Sequence, residues 1–172
     1  GALKRQLLSD IAAGVQIDVA PADMVTVAHD AGWPAVGIWF DGKTWTDSTS
    51  REVRQRLDDS GVFALDIEPI IPSEDGSDFA EQLIEAAAVI GARHILFTSR
   101  LKDQARTTDR YQQVCEMALA HGIKVVCEFP PIFPLNTLSM AAEIVANSQA
   151  TNGGVLIDNL HLSRSGSSIE DV

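Results

Sequence analysis

The sequence predicts an α/β fold built on a parallel sheet, and two observations carry that prediction. The first is a recurring phrase: an amphipathic helix ends in glycine, and a short, continuous apolar run follows. The second is its period. The turn glycines fall at Gly32, Gly61, Gly91, Gly122 and Gly153, separated by 29, 30, 31 and 31 residues. Strand and helix in regular alternation build parallel βαβ units. An open doubly wound sheet and a closed (β/α)8 barrel both use this repeat. No Gly-x-Gly-x-x-Gly or phosphate-loop motif follows any run, which weighs against a nucleotide-binding open sheet. A period near 30 residues matches the barrel unit, eight of which take about 250 residues.

The elements follow in order. A first strand is expected over Leu7–Val15, in "LLSDIAAGVQ". The next strands are expected at Ala35–Phe40, Val62–Ile67, His94–Phe97, Ile123–Cys127 and Val155–Ile157, each just after a turn glycine. Glycine past a helix end takes the left-handed conformation that stops it. The runs are short, continuous and rich in β-branched residues, as in strands buried on both faces. The helices carry one apolar stripe; Phe79, Leu83, Ala86 and Ile90 fall at helical spacing. Ser50, Asp78, Thr108 and Thr137 are the expected helix N-caps. About six strands and five complete helices result, in one domain over residues 1–172.

Composition bounds the function. At 45% apolar and 22% charged residues the chain has the make-up of a globular protein with a real core. No apolar run approaches the ~20 residues that span a bilayer, and no signal-peptide pattern opens the chain. A formal net charge of −11 repels phosphate backbones, so nucleic acid is not the expected partner. Cys115 and Cys127 fall within helix and strand patterns. Two buried thiols in such a chain point to a reducing, cytoplasmic setting.

In parallel α/β folds, chemistry gathers at the carboxyl ends of the strands. Asp41, Glu68, Glu128 and Asp158 each follow an apolar run, and so would share one rim. Carboxylates converging there with a histidine can hold a hard or borderline divalent cation. They can also divide the work of general acid and base. Asp41, in "DGKTWTD", reads as part of an exposed turn. Glu128 and Asp158 end their strands abruptly and are the main functional candidates. Glu68 is a further one. His161, three residues past Asp158, meets it at one point if the chain turns directly after the strand; Asp158 would otherwise orient the imidazole. Arg164, in "SRSG", is a candidate grip for an anionic substrate group. Trp39 and Trp45 can floor a sugar pocket or pack in the core. Trp33 is expected at a helix–strand corner. His29, His94 and His121 receive no role.

The segments "AHDAGWPAVGIWF", "GIKVVCEFPP" and "GVLIDNLHLSRSG" resemble the sugar phosphate isomerase/epimerase superfamily, the xylose-isomerase-like barrels. The resemblance runs from about Ser9 to the end. It implies a (β/α)8 TIM-barrel fold, incomplete in this chain. It implies that Glu128 is a metal ligand and acid/base residue, that Asp158 is a second ligand, and that His161 contacts substrate; Glu68, Arg164 and Trp39 are added as substrate contacts. The cofactor implied is a divalent metal ion: manganese, magnesium, cobalt or zinc. The activity implied is isomerisation or epimerisation of a small sugar or sugar-derived polyol, by proton transfer next to a carbonyl. A dehydratase on the same scaffold and a non-catalytic binding or assembly subunit are the alternatives; the charge disfavours an abasic-site endonuclease. The family's remaining metal ligands, a histidine and a glutamate from the seventh and eighth strands, have no counterpart here. "SGSSIEDV" reads as the start of a further helix capped by Ser168, so the chain is expected to be truncated. A second copy or a partner chain completing the barrel is the other expectation.

Overall fold

The computed structural model describes residues 19–172 apart from Ser77. Five parallel strands form one sheet in strict sequence order: β1 (Ala35–Trp39), β2 (Phe63–Ile70), β3 (His94–Phe97), β4 (Lys124–Cys127) and β5 (Gly153–Val155). The strand expected at Leu7–Val15 lies outside the described residues. Helix α1 (Pro21–Asp30) precedes β1, and α2 (Asp47–Ser60), α3 (Ala80–Ile90), α4 (Gln104–Leu119) and α5 (Leu138–Ser148) connect the strands. A short helix α6 (Asn159–Arg164) and a 3-10 turn (Ile169–Asp171) follow β5.

A doubly wound sheet reverses its strand order once. This sheet never does. Right-handed crossovers then put every helix on one face, and each of α1 to α5 packs against the next. The result is an arc of barrel wall. Its core lies between the helices and the outer face of the sheet, where Val36, Ile38, Ile67, Ile95, Phe97 and Val125 are buried. Alternation along the strands turns the intervening residues inward. Leu96 is buried yet stands apart from that core, as an inward residue should.

Gly61 and Gly91 are the expected left-handed C-caps, with φ 74° each. The fifth unit differs: α5 ends at Ser148, and the left-handed residue is Gln149, with φ 56°. Gly153 is instead the first residue of β5, displacing the strand expected at Val155–Ile157. Its role is close approach. A Cβ there would lie 2.8 Å from the Tyr111 hydroxyl, which donates to the Val125 carbonyl at 2.9 Å and accepts from the Gly154 N–H at 3.0 Å. Buried Tyr111 thereby ties α4 to the β4–β5 ladder.

Three expected caps are corrected. Helix α2 starts at Asp47, capped by Thr46 in a reciprocal box with Thr49, so Ser50 lies inside the helix and accepts from Trp45 Nε1 instead. Helix α4 is capped by Asp103, whose carboxylate accepts from the N–H groups of Ala105 and Arg106. Thr108 sits one turn in and donates to the Gln104 carbonyl. Thr137 and Ser168 do cap the elements that follow them. The third correction is α3, whose N-cap position is Phe79, left-handed at φ 53° and without a side-chain cap; Asp78 stands one residue earlier and accepts from Ala80 N–H. Its carboxylate also takes two hydrogen bonds from Arg110 on α4, at 2.8 and 2.9 Å.

Strand β2 is longer than expected. It runs through Glu68 and a cis Glu68–Pro69 peptide to Ile70. A proline cannot donate to a ladder, and the register with β3 shifts between Ile67 and Ile70, where Pro69 sits. Trp33 is 67% exposed rather than packed, because it lies in the turn beyond α1, outside the helix–sheet core. Cys115 and Cys127 are both buried and free. Among the described residues no helix is long and apolar enough to cross a membrane.

Candidate metal centre

The backbone of β4 delivers Glu128 to the rim. The Glu128 N–H continues the ladder by donating to the Phe97 carbonyl at 2.8 Å. Two positions from inward-facing Val126, the side chain turns into the barrel, where it is 13% exposed. One strand over, the chain past β5 turns sharply at Asp158. Asp158 is the N-cap of α6: its Oδ1 accepts from Leu160 N–H at 2.7 Å and His161 N–H at 2.9 Å. That turn answers the Asp-x-x-His spacing. A residue three past an N-cap comes back over the cap, so His161 returns above Asp158.

The three side chains converge. His161 Nε2 lies 3.7 Å from Glu128 Oε1, and His161 Nδ1 lies 4.0 Å from Asp158 Oδ1. These separations are too long for hydrogen bonds. One donor atom from each residue falls within 4.8 Å of the others. Ligands of one ion held by bonds of about 2.0–2.2 Å stand a few ångströms apart in the same way. His161 Nδ1 is buried and has no hydrogen-bond partner among the described residues. Two carboxylates, one imidazole and an orphaned ring nitrogen fit a hard or borderline divalent cation.

The electrostatics point the same way. Burial, then the neighbouring Asp158 and Asp66, push the Glu128 carboxyl up to about 7. Burial, then Asp66 and Glu128, push Glu68 up to about 7 as well. Negative groups crowd a poorly solvated wall, and each makes its neighbours harder to ionise. A bound cation would relieve that repulsion.

Of the remaining candidates, Glu68 and Trp39 are directly opposite each other in the β1–β2 register and both half-buried. The charge of Glu128, two strands away, is one of the causes that raise the Glu68 carboxyl. Arg164 ends α6, exposed, with no hydrogen bond or ion pair among the described residues. Trp45 packs against Phe40, ring centroids 5.0 Å apart, beside the helix-side core. Asp41 closes a turn, accepting from Lys43 N–H and Thr44 Oγ1.

Sequence reasoning missed Asp66. It sits mid-strand in β2, two residues before Glu68 and on the same face. Burial raises its carboxyl, and His94, opposite it in register, partly offsets that. The signal was present: an acid inside the run "VFALDIEP", which otherwise reads as buried on both faces.

Residues 25–171 match the model of the family described as xylose isomerase-like TIM barrel. The chain belongs to that family. Inosose isomerase of Bacillus licheniformis is 25% identical over 100 residues, covering 52% of this chain and 36% of the relative. The solved structure of the IOLI protein with a zinc atom superimposes with a TM-score of 0.73 at 18% identity, covering 85% of this chain and 60% of that one. D-psicose 3-epimerase crystallised in the presence of D-fructose gives a TM-score of 0.72 at 17% identity, covering 87% and 62%. This chain thus spans about three-fifths of those barrels and a smaller share of the curated relative. At these identities the structural likenesses establish the fold.

Proposed function

We propose that this chain carries the metal-binding and proton-handling part of a divalent-metal-dependent isomerase or epimerase acting on a small sugar or sugar-derived polyol. The observation that carries the reading is the convergence of Glu128, Asp158 and His161 on one point at the strand ends. The named relatives act on, or were crystallised with, compounds of that class.

Glu128, Asp158 and His161 would hold the cation; when bound it supplies Lewis acidity toward a carbonyl or hydroxyl oxygen. The chain's own residues do the rest. Glu128 takes and returns a proton at the carbon next to the carbonyl, from a half-buried carboxylate on the rim. Asp158 keeps one carboxylate oxygen on the α6 N-terminus, which fixes its direction. His161, held by the same turn and facing Glu128, completes the ligand set in place of the substrate contact first expected of it. Trp39 and Glu68 extend the wall on which the substrate lies.

Solvent exchange tests this. With Mn²⁺ and D-fructose in D2O, the protein should move deuterium to the carbon next to the carbonyl. Glu128→Gln should abolish exchange while the circular dichroism spectrum stays unchanged. Exchange by Glu128→Gln at the wild-type rate removes Glu128 from the proton transfer.

A further inference from the structure

A second polar group of side chains lies on the inner wall, apart from the three candidate ligands. Asp66 is folded over Gly37 of the neighbouring strand. A Cβ at position 37 would stand 2.7 Å from Asp66 Oδ1. The space that holds this carboxylate therefore exists only because residue 37 has no side chain. Glu68 follows two residues on, on the same face. Thr98 stands just past the end of β3, between the strand of Glu68 and that of Glu128. Ile95 and Phe97 belong to the helix-side core, so Leu96 and Thr98 turn inward. Thr98 is 2% exposed, and its hydroxyl has no hydrogen-bond partner among the described residues. A buried hydroxyl without a partner costs about 1–3 kcal/mol, and a bound hydroxyl group would restore that bond.

We infer that Asp66, Glu68 and Thr98 form a subsite that binds the hydroxyl groups of a neutral, unphosphorylated polyol. This rests on the polyol reading above. The carboxylates accept hydrogen bonds and offer none when ionised, so they select ligands rich in O–H donors. Thr98 can both donate and accept. The upper wall, from Trp39 and Glu68 through Leu96 and Val126 to Glu128, carries no arginine or lysine to pair with a phosphate. One layer below, the row of Asp66 continues in register through His94 to Lys124. Gly37 is the structural device of the subsite, since any side chain there displaces the Asp66 carboxylate.

Two-dimensional ¹H–¹⁵N NMR of the 172-residue chain with myo-inositol, with inositol monophosphate and separately with Mn²⁺ tests this. Myo-inositol should produce saturable shifts at the amides of Gly37, Asp66 and Thr98. Asp66→Ala and Thr98→Val should each weaken that binding about tenfold, the worth of one hydrogen bond involving a charged or buried group. Gly37→Ala, which removes neither polar residue but pushes the Asp66 carboxylate aside, should weaken it too. Mn²⁺ broadening at Asp158 to His161 should persist in all three variants, which separates this subsite from the metal centre. Loss of Mn²⁺ broadening in the wild type would count against the metal centre alone. Absent or scattered shifts with myo-inositol overturn the subsite, as do shifts unchanged by Asp66→Ala and Thr98→Val. Equal or tighter binding of the monophosphate at the same amides overturns its selectivity for neutral polyols.

Discussion

The crowding of carboxylates on the inner wall has a measurable consequence for stability, and Glu68→Gln isolates it. The substitution keeps the shape of the side chain and removes its charge. In the folded chain the Glu68 carboxyl lies at about 7, against 4.5 for an unperturbed glutamate. The folded state therefore holds its proton more tightly than the unfolded state. Where the folded state binds more protons, stability falls as pH rises. The stabilising effect of protonation is fully present below about 4.5 and is lost as pH climbs through about 7. At about 1.4 kcal/mol per pH unit, the wild-type penalty at pH 8 approaches ~3 kcal/mol; at pH 5 it stays below ~1 kcal/mol. Part of the penalty is shared with Asp66 and Glu128, so removing one charge also eases its neighbours. For a domain of this size ~3 kcal/mol corresponds to about 6–12 °C in Tm. Thermal unfolding of both proteins by circular dichroism, without divalent cations, should show Glu68→Gln melting higher at pH 8 and close to wild type at pH 5. Equal shifts at the two pH values, or no rise at pH 8, would refute the electrostatic account of this wall.

Other predictions concern the scaffold. Tyr111→Phe removes a hydroxyl that serves Val125 and Gly154 at once, and should cost about 1–2 kcal/mol in urea unfolding at unchanged m-value. Arg110→Ala strips the bidentate partner from Asp78, whose side chain is 6% exposed. It should destabilise by about 3 kcal/mol. The double variant with Asp78→Ala should recover part of that loss, because it removes the stranded charge.

The repeat of helix, glycine and apolar run was legible because helix termination and strand burial are local properties. The rim carboxylates Glu128 and Asp158 were legible because a charged residue ending an apolar run has few places to go in a parallel sheet. His161 required a turn directly after β5, and the side-chain cap of Asp158 supplies it. Asp66 was hidden by the same logic that revealed the others, since it lies inside the strand rather than at its end. Its burial is tolerated because Gly37, on a different strand, leaves room, a long-range relation with no local pattern. The caps at Ser50, Asp78 and Thr108 failed for a related reason. Several serines, threonines and aspartates precede each helix, and tertiary packing selects which of them starts it. Gly153 resembled a helix stop in the repeat, yet it answers to Tyr111, more than forty residues earlier.

The central claim is that Glu128, Asp158 and His161 hold one divalent cation. Calorimetric titration of Mn²⁺ into the wild-type chain and into Asp158→Asn and His161→Ala tests it most directly. The wild type should show a single saturable site. Each substitution should weaken the site at least tenfold, since loss of a group that only supports a ligand already costs about that much in metal affinity. Mn²⁺ binding of the same affinity in all three proteins would contradict it.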